Sequence, residues 1–278
     1  MPVLYLLLAI LPGLAISWWI YQQDKHEKEP HRVLLICFFL GMATCFPAIV
    51  LEEFGVNMGF DVGKGVLITF IFAFVVVAGS EELVKFLALR FYPYARDSFN
   101  EPLDGIVYSV MISMGFATLE NIFYVFDFGL QTGLLRMFTA VPAHAAFAVV
   151  MGYYVGLAKF DKENHVQLMA KGLGGAILIH GAYDFFLFQQ MLPALALLAF
   201  VSLYLAIYYS RKLIKEHQDN SPFNEDSPNY IPPEEESTPE ETTSSETSED
   251  TGLEPFVDYE STTDYDESID DMLGLEEE

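Results

Sequence analysis

Six acidic or histidine side chains interrupt apolar stretches of this 278-residue sequence, and their types could support hydrolysis. An ionisable residue at the centre of a membrane helix costs about 2.5–3.5 kcal/mol on insertion scales, so such residues are expected to face one another or a ligand. Two histidines with carboxylates form the ligand set of a catalytic zinc, and a further glutamate can act as general base to a bound water. The six are Glu81, Glu82, Glu120, His144, His180 and Asp184.

The first group lies in the segment GSEELVKFLALR. Glu81 and Lys85 are four residues apart, so on a helix they share a face and can pair. Glu82 lies about 100° round the helix and is expected to point elsewhere, which makes it the better candidate for the base. The alternative is a charge cluster near a helix end, which the mostly apolar residues on both sides disfavour.

Glu120 and His144 each stand alone within their apolar runs. Glu120 has no basic residue within a helical turn, so its partner must come from another helix. His144 lies among alanines, which would allow neighbouring helices to come close. Either residue taken singly could equally be a structural hydrogen bond between helices.

His180 and Asp184 are four residues apart in HGAYD, so their side chains share one helix face. This spacing would let both ligate one ion. It would also let the aspartate orient the imidazole from behind, or form a simple neutral hydrogen bond. The residues leave these alternatives open.

The elements that must position these side chains are seven apolar runs of about 20 residues, the length needed to cross a bilayer as a helix. We therefore predict an all-α, polytopic transmembrane helical bundle of about seven spans. The runs cover about 2–21, 33–51, 66–89, 103–126, 137–158, 168–189 and 191–210. A straight third helix starting at Val66 would place Glu81 and Glu82 over about 20 Å from its outer end, against roughly 8–14 Å for the other site residues. A kink at Gly79 and Ser80, a later start of the helix or a tilt would each remove that mismatch, and the sequence leaves the three open.

Lysines and arginines alternate between the connecting segments, which predicts the orientation. Eleven lie on one side and two, Lys64 and Arg136, on the other. By the positive-inside rule the N-terminus is expected outside the cell and the C-terminus in the cytoplasm. The eleven are Lys25, Lys28, Arg32, Arg90, Arg96, Lys159, Lys162, Lys171, Arg211, Lys212 and Lys215.

The C-terminal segment has a different composition from the rest. The chain carries a net charge of −25, of which −23 falls after Lys215. Residues 1–215 are therefore predicted to form the membrane-embedded domain, and residues 216–278 a disordered acidic cytoplasmic tail. Scattered apolar residues near its end leave open a docking motif for a cytoplasmic partner. The acidity excludes nucleic acid as an expected partner, whereas membrane lipid is expected.

Four motifs in order carry a family resemblance: EELVK at 81–85, FATLEN at 116–121, the alanine-flanked His144, and HGAYD at 180–184. They resemble the PrsW-type intramembrane metalloproteases, as do LPGLAISWWIYQQDKHEKEP and the stretch at 102–124. The resemblance covers about residues 10–210. The wider superfamily includes CAAX prenyl endopeptidases and bacteriocin-processing enzymes, in which a histidine takes the place of Glu120.

The resemblance implies first-site cleavage of a membrane-anchored anti-sigma factor in a bacterial cell membrane. On this basis Glu81, Glu82, Lys85 and Glu120 are candidate catalytic residues. His144, His180, Asp184 and Glu120 are candidate ligands of zinc. Some relatives are thought to use a glutamate-activated water, which leaves the metal open.

Two other function classes are compatible with these residues. Buried carboxylates, histidines and lysines also build proton relays in proton-coupled transporters and ion pathways. An inactive scaffold that recruits a partner through its acidic tail is the other alternative. Metal content and cleavage of a single-span reporter separate these classes.

Overall fold

A computed structural model describes residues 2–189 and 193–232 of the chain. Within those ranges the chain is built from α-helices and short turns, without a β-strand. A lipid-embedded backbone must satisfy its polar groups internally, and a helix does this within one segment. The α-helices are α1 (Pro2–Gln23), α2 (His31–Asn57), α3 (Val66–Ile71), α4 (Ala78–Phe91), α5 (Pro102–Phe128), α6 (Leu130–Phe138), α7 (Ala140–Phe160), α8 (His165–Leu187) and α9 (Ala196–Asp219).

Six helical stretches in the described residues are long and apolar enough to cross a membrane: Tyr5–Gln23, His31–Asn57, Val66–Ala95, Pro102–Phe128, Leu130–Phe160 and Ala196–Asp219. The predicted polytopic all-α bundle is therefore confirmed. The sixth predicted run, 168–189, corresponds to α8, which has 23 residues but is less apolar. Lys171, His180 and Asp184 lower its hydropathy, and two of these are candidate site residues.

Helix α5 lies at the centre of the bundle, and every residue from Leu103 to Thr118 is buried. It packs against α7, α2 and α1. Glycines allow the closest of these contacts, because a Cβ added to Gly105 would lie 2.4 Å from the carbonyl oxygen of Gly152 on α7. Small residues at a helix crossing let backbones approach in this way.

The third apolar run is interrupted by a six-residue π-helical segment, Phe72–Val77, between α3 and α4. Of the alternatives for this helix, a kink at Gly79 and Ser80 does not occur, because both residues already lie in regular α4 and the irregular segment precedes them. The π-helical segment packs beside the site: a Cβ added to Gly181 of α8 would lie 2.5 Å from the ring of Phe74. π-Helical turns occur frequently at functional sites.

Helix α9 continues to Asp219, four residues past the predicted end of the membrane domain. Residues 220–232 then form turns, in which the backbone amide of Ile231 donates to the carbonyl of Pro222 at 2.9 Å. The predicted acidic tail lies mainly beyond residue 232, outside the described residues.

Candidate active site

Two glutamates and two histidines from three helices converge inside the bundle. Glu81 and Glu82 lie on α4, His144 on α7 and His180 on α8. Each offers one ligand atom, and these four atoms lie within 4.8 Å of one another. Between 1% and 4% of each residue is exposed. The structure thus brings the EELVK, alanine-flanked and HGAYD motifs to one buried centre.

Lys85 supplies the positive charge at this centre. Its Nζ donates to Glu81 Oε2 at 3.0 Å and to Glu82 Oε1 at 2.8 Å. The expectation that Glu82 points away from Lys85 is therefore wrong, because residues three apart on a helix are neighbours as well as residues four apart. The ammonium also lies 4.0 Å from the ring centroid of Phe116, a cation–π distance.

One ring nitrogen of His144 points away from the centre and faces Glu120 of α5. Its Nε2 is 3.0 Å from Glu120 Oε2, while its Nδ1 faces the centre, 3.3 Å from Lys85 Nζ. Because an ammonium can only donate, Nδ1 acts as the acceptor, so Nε2 carries the proton and donates to the carboxylate. Ser113 Oγ donates to the backbone carbonyl of His144 at 2.9 Å, which ties α7 to α5 at this point.

His180 also has a partner at each ring nitrogen, and one of these partners, Asp184, lies on its own helix. Its Nε2 lies 3.2 Å from Asp184 Oδ2, and its Nδ1 lies 2.8 Å from Glu82 Oε1. The ring of Phe147 stacks on the imidazole at 4.6 Å between centroids and 20° between planes. Glu120 and Asp184 were expected to complete a metal shell. The structure places them instead behind the two imidazoles, outside the converging group.

Arg136 is a site residue that the sequence reasoning missed, since it was used there only for orientation. It lies at the end of α6, and its Nη2 donates to Glu120 Oε2 at 2.6 Å. Its Nε donates to Asn121 Oδ1 at 3.1 Å. One signal could have identified it, because Arg136 follows an apolar stretch on the side that has few basic residues. Glu52 of α2, also missed, lies half-buried in electrostatic range of Glu81 and His180.

The converging donors fit a transition-metal ion such as zinc. Two imidazole nitrogens and two carboxylate oxygens are the donors that zinc accepts, and outer carboxylates on both rings are the usual support for histidine ligands. One carboxylate oxygen, Glu82 Oε2, is buried without a hydrogen-bond partner. That atom is therefore available to a metal ion or to a water molecule.

Comparison with known proteins gives a consistent match across this region. Residues 29–209 match the PrsW family of intramembrane metalloproteases. The chain is 38% identical to Protease PrsW of Geobacillus kaustophilus over 65% of this chain and 78% of that protein. It is 36% identical to Protease PrsW of Bacillus subtilis over 64% and 80%, and 37% identical to Protease PrsW of Clostridioides difficile over 69% and 82%. No solved structure matches the chain.

Proposed function

Because the chain belongs to the PrsW family of intramembrane metalloproteases, we propose that the buried Glu–His centre is where it hydrolyses a peptide bond of a membrane-anchored protein. The observation that carries this proposal is the convergence of Glu81, Glu82, His144 and His180 within 4.8 Å. The enzyme is an intramembrane protease, so its substrate is a membrane protein. The assignment of residues to steps is our proposal.

Glu82 is the general base in this proposal. Lys85 and His180 hold Oε1 at 2.8 Å each, while Oε2 has no partner and is buried. A water molecule at Oε2 loses its proton to that atom as it attacks the substrate carbonyl. Glu82 then passes the proton to the leaving nitrogen, which completes hydrolysis.

Lys85 and the outer carboxylates keep this base in position. Lys85 contacts both glutamates and so offsets the repulsion between two carboxylates at close range. Glu120 and Asp184 fix the two imidazoles through their outer nitrogens. Arg136 in turn holds Glu120, so that the ring of His144 has a fixed orientation.

We propose zinc as the metal, held by His144 and His180 together with Glu81, which leaves Glu82 as the base. When bound, a zinc ion would lower the pKa of a water ligand and polarise the substrate carbonyl. Lys85 contacts the same two carboxylates, so it sets how much negative charge the centre offers to an ion.

We propose an anti-sigma factor as the substrate, the class that the motif resemblance implies. We also propose that the enzyme lies in a bacterial cell membrane with its N-terminus outside and its acidic C-terminal segment in the cytoplasm. The distribution of lysine and arginine supports this orientation.

A reporter-cleavage experiment tests the proposal. The full chain is produced with a single-span anti-sigma reporter, and cleavage is followed by immunoblot, then with purified protein in detergent with and without a chelator. Glu82→Gln keeps the shape but removes the base, so the rate should fall by about 10²–10⁴-fold. Glu53→Gln is the matched control, because Glu53 is an exposed glutamate on α2.

The outcomes separate the function classes. Cleavage by Glu82→Gln at the wild-type rate would overturn the role of Glu82. Uptake driven by a proton gradient, with no cleavage by wild-type protein, would favour transport. Zinc in the purified protein, lost in His180→Ala together with cleavage, would support the proposed metal; chelator-resistant cleavage without zinc would exclude it.

A further inference from the structure

A second buried cluster of carboxylates lies outside the active site, where the loop between α1 and α2 meets the start of α5. Glu27, Glu29 and Asp104 each offer one oxygen, and these oxygens lie within 4.8 Å of one another. Glu29 is 1% exposed and Asp104 is fully buried, whereas Glu27 is half-buried. Asp24, also fully buried, joins the cluster through its Oδ2, which accepts from the backbone amide of Glu29 at 3.1 Å.

Several of these oxygens have no hydrogen-bond partner. Glu29 Oε1, Asp104 Oδ1 and Asp24 Oδ1 are buried and unpartnered, as is Glu27 Oε2. The other oxygen of each of the three buried acids is fixed: Tyr108 Oη donates to Glu29 Oε2, and the amides of Asn100 and Glu101 donate to Asp104 Oδ2 at 2.8 Å each. The side chains are therefore oriented, with one free oxygen apiece.

The nearest lysine in sequence does not contact these oxygens. Lys28 Nζ donates to the carbonyl of Tyr21 at 2.7 Å and lies 4.6 Å from the centroid of the Tyr21 ring. Buried, unpaired carboxylate oxygens cost free energy unless they gain a cation or a proton. Because Glu27 is half-buried, an ion can reach the cluster from solvent past this side chain.

We propose that Glu27, Glu29 and Asp104, assisted by Asp24, bind a hard divalent cation at this end of the bundle. All the free donors are oxygens, the ligands that Mg²⁺, Mn²⁺ and Ca²⁺ prefer, and no imidazole or thiolate is among them. The ion links the α1–α2 loop to the first turn of α5, the central helix. Its role is structural and is separate from the hydrolytic centre.

Two measurements on the full-length protein in detergent test this site. In chelator-treated protein, Mg²⁺, Mn²⁺ or Ca²⁺ is added and the melting temperature is recorded. At a hundredfold excess over Kd it should rise by about 5–10 °C. Tb³⁺ replaces the ion as a luminescent probe, and Tyr108, which touches Glu29, should sensitise its emission.

Matched variants test whether the melting shift and the Tb³⁺ binding come from this cluster. Glu29→Gln and Asp104→Asn should lose the melting shift and at least tenfold in Tb³⁺ affinity. Glu27→Gln, at the half-buried position, should weaken both without a risk to folding. Asp97→Asn is the control, because Asp97 is an exposed acid in a neighbouring loop. His144→Ala combined with His180→Ala should leave the response intact.

Three results would overturn the proposal. The first is wild-type protein whose melting temperature and Tb³⁺ emission are unchanged, in which case Glu29 and Asp104 share a proton instead. The second is a response that survives Glu27→Gln and Glu29→Gln unaltered. The third is a response that disappears with the two histidines, which would place the ion at the hydrolytic centre.

Discussion

The protein contains two buried carboxylate clusters, and they differ in how their charge is compensated. In the candidate active site Lys85 contacts both glutamates of α4, Arg136 contacts Glu120, and the imidazole of His180 faces Asp184. In the cluster of Glu29 and Asp104, the fixed oxygens accept from neutral donors and the free ones have no partner.

The two clusters therefore differ in what they require from their surroundings. A cluster with its own cations keeps its geometry without a ligand, which suits a site that must admit a substrate. A cluster without them depends on an ion or protons, so its stability varies with the medium. Substitutions in the two clusters should therefore have different effects.

The largest effect is expected at Lys85. Lys85→Met leaves Glu81 and Glu82 buried side by side without their cation. Removing one partner of a buried ion pair costs about 3–5 kcal/mol, so the melting temperature should fall by roughly 6–20 °C. Melting of the purified variant in detergent measures this. An unchanged melting temperature would mean that Lys85 is not what compensates the active site.

A smaller effect is expected at Arg136, which acts on catalysis through Glu120 and His144. Arg136→Gln removes the 2.6 Å contact to Glu120 Oε2 and loosens the ring that this carboxylate holds. Loss of such an outer partner lowers activity by about 10–100-fold. Reporter cleavage gives the rate, and Arg136→Lys should recover part of it. If both variants cleave at the wild-type rate, Arg136 does not position the site.

Part of the pH dependence of stability should come from Glu101, the residue directly before α5 and next to the second cluster. Burial raises the pKa of Glu101 to about 8, against the effect of the nearby Ser221 hydroxyl, which lowers it, and nearby Asp104 raises it further. The folded protein therefore holds a proton between about pH 4.5 and 8 that the unfolded chain has lost. Stability should fall as pH rises through this window, by at most about 1.4 kcal/mol per pH unit. Melting of cation-free protein from pH 5 to 9 measures the slope, which Glu101→Gln should flatten; an equal slope in that variant would exclude Glu101.

The smallest effect is expected for Glu29→Gln in cation-free buffer. The amide oxygen still accepts from Tyr108, and no cation loses its partner, so unfolding free energy should change by less than about 1 kcal/mol. Glu81→Gln is the matched change in the active site and should cost more, because it removes a partner of Lys85. Denaturation of both variants side by side gives the comparison, and equal losses would remove the distinction between the clusters.

Much of the fold follows from the sequence, because a lipid environment leaves a long apolar segment little choice but a helix. The runs at 33–51 and 103–126 correspond to α2 and α5; α5 exceeds its run by only one and two residues, whereas α2 continues to Asn57. The π-helical segment at 72–77 was not predicted, since its sequence FAFVVV differs little from an ordinary apolar helix. Helix α6 was not predicted either, because the fifth run was placed at 137–158 and most of α6 therefore fell in the preceding connecting segment.

Which residues belong to the candidate site was easier to predict than which of their atoms face its centre. The free-energy cost of placing ionisable residues in lipid indicated which polar residues must contact one another. The structure brings Glu81, Glu82, His144 and His180 together. Which atoms face the centre depends on helix rotation. That is why Glu120 and Asp184 were expected beside a metal and instead lie behind the rings. The cluster of Glu29 and Asp104 was not predicted, because Glu29 lies in a connecting loop and Asp104 in the first turn of a helix, and charged residues at such positions are usually solvated.

The π-helical segment has a consequence for how this helix tolerates insertions and deletions. Deleting one residue between Phe72 and Val77 would let the run close into uninterrupted α-helix. An i→i+5 turn holds one residue more than an α-turn, so this deletion would leave α3 and α4 in about their present rotation relative to each other. Deleting one residue of α3 instead would turn α3 by about 100° relative to α4. If α3 kept its place in that case, Glu81 and Glu82 would swing out of the centre and into lipid, so the position of a one-residue deletion decides whether the proposed base is lost.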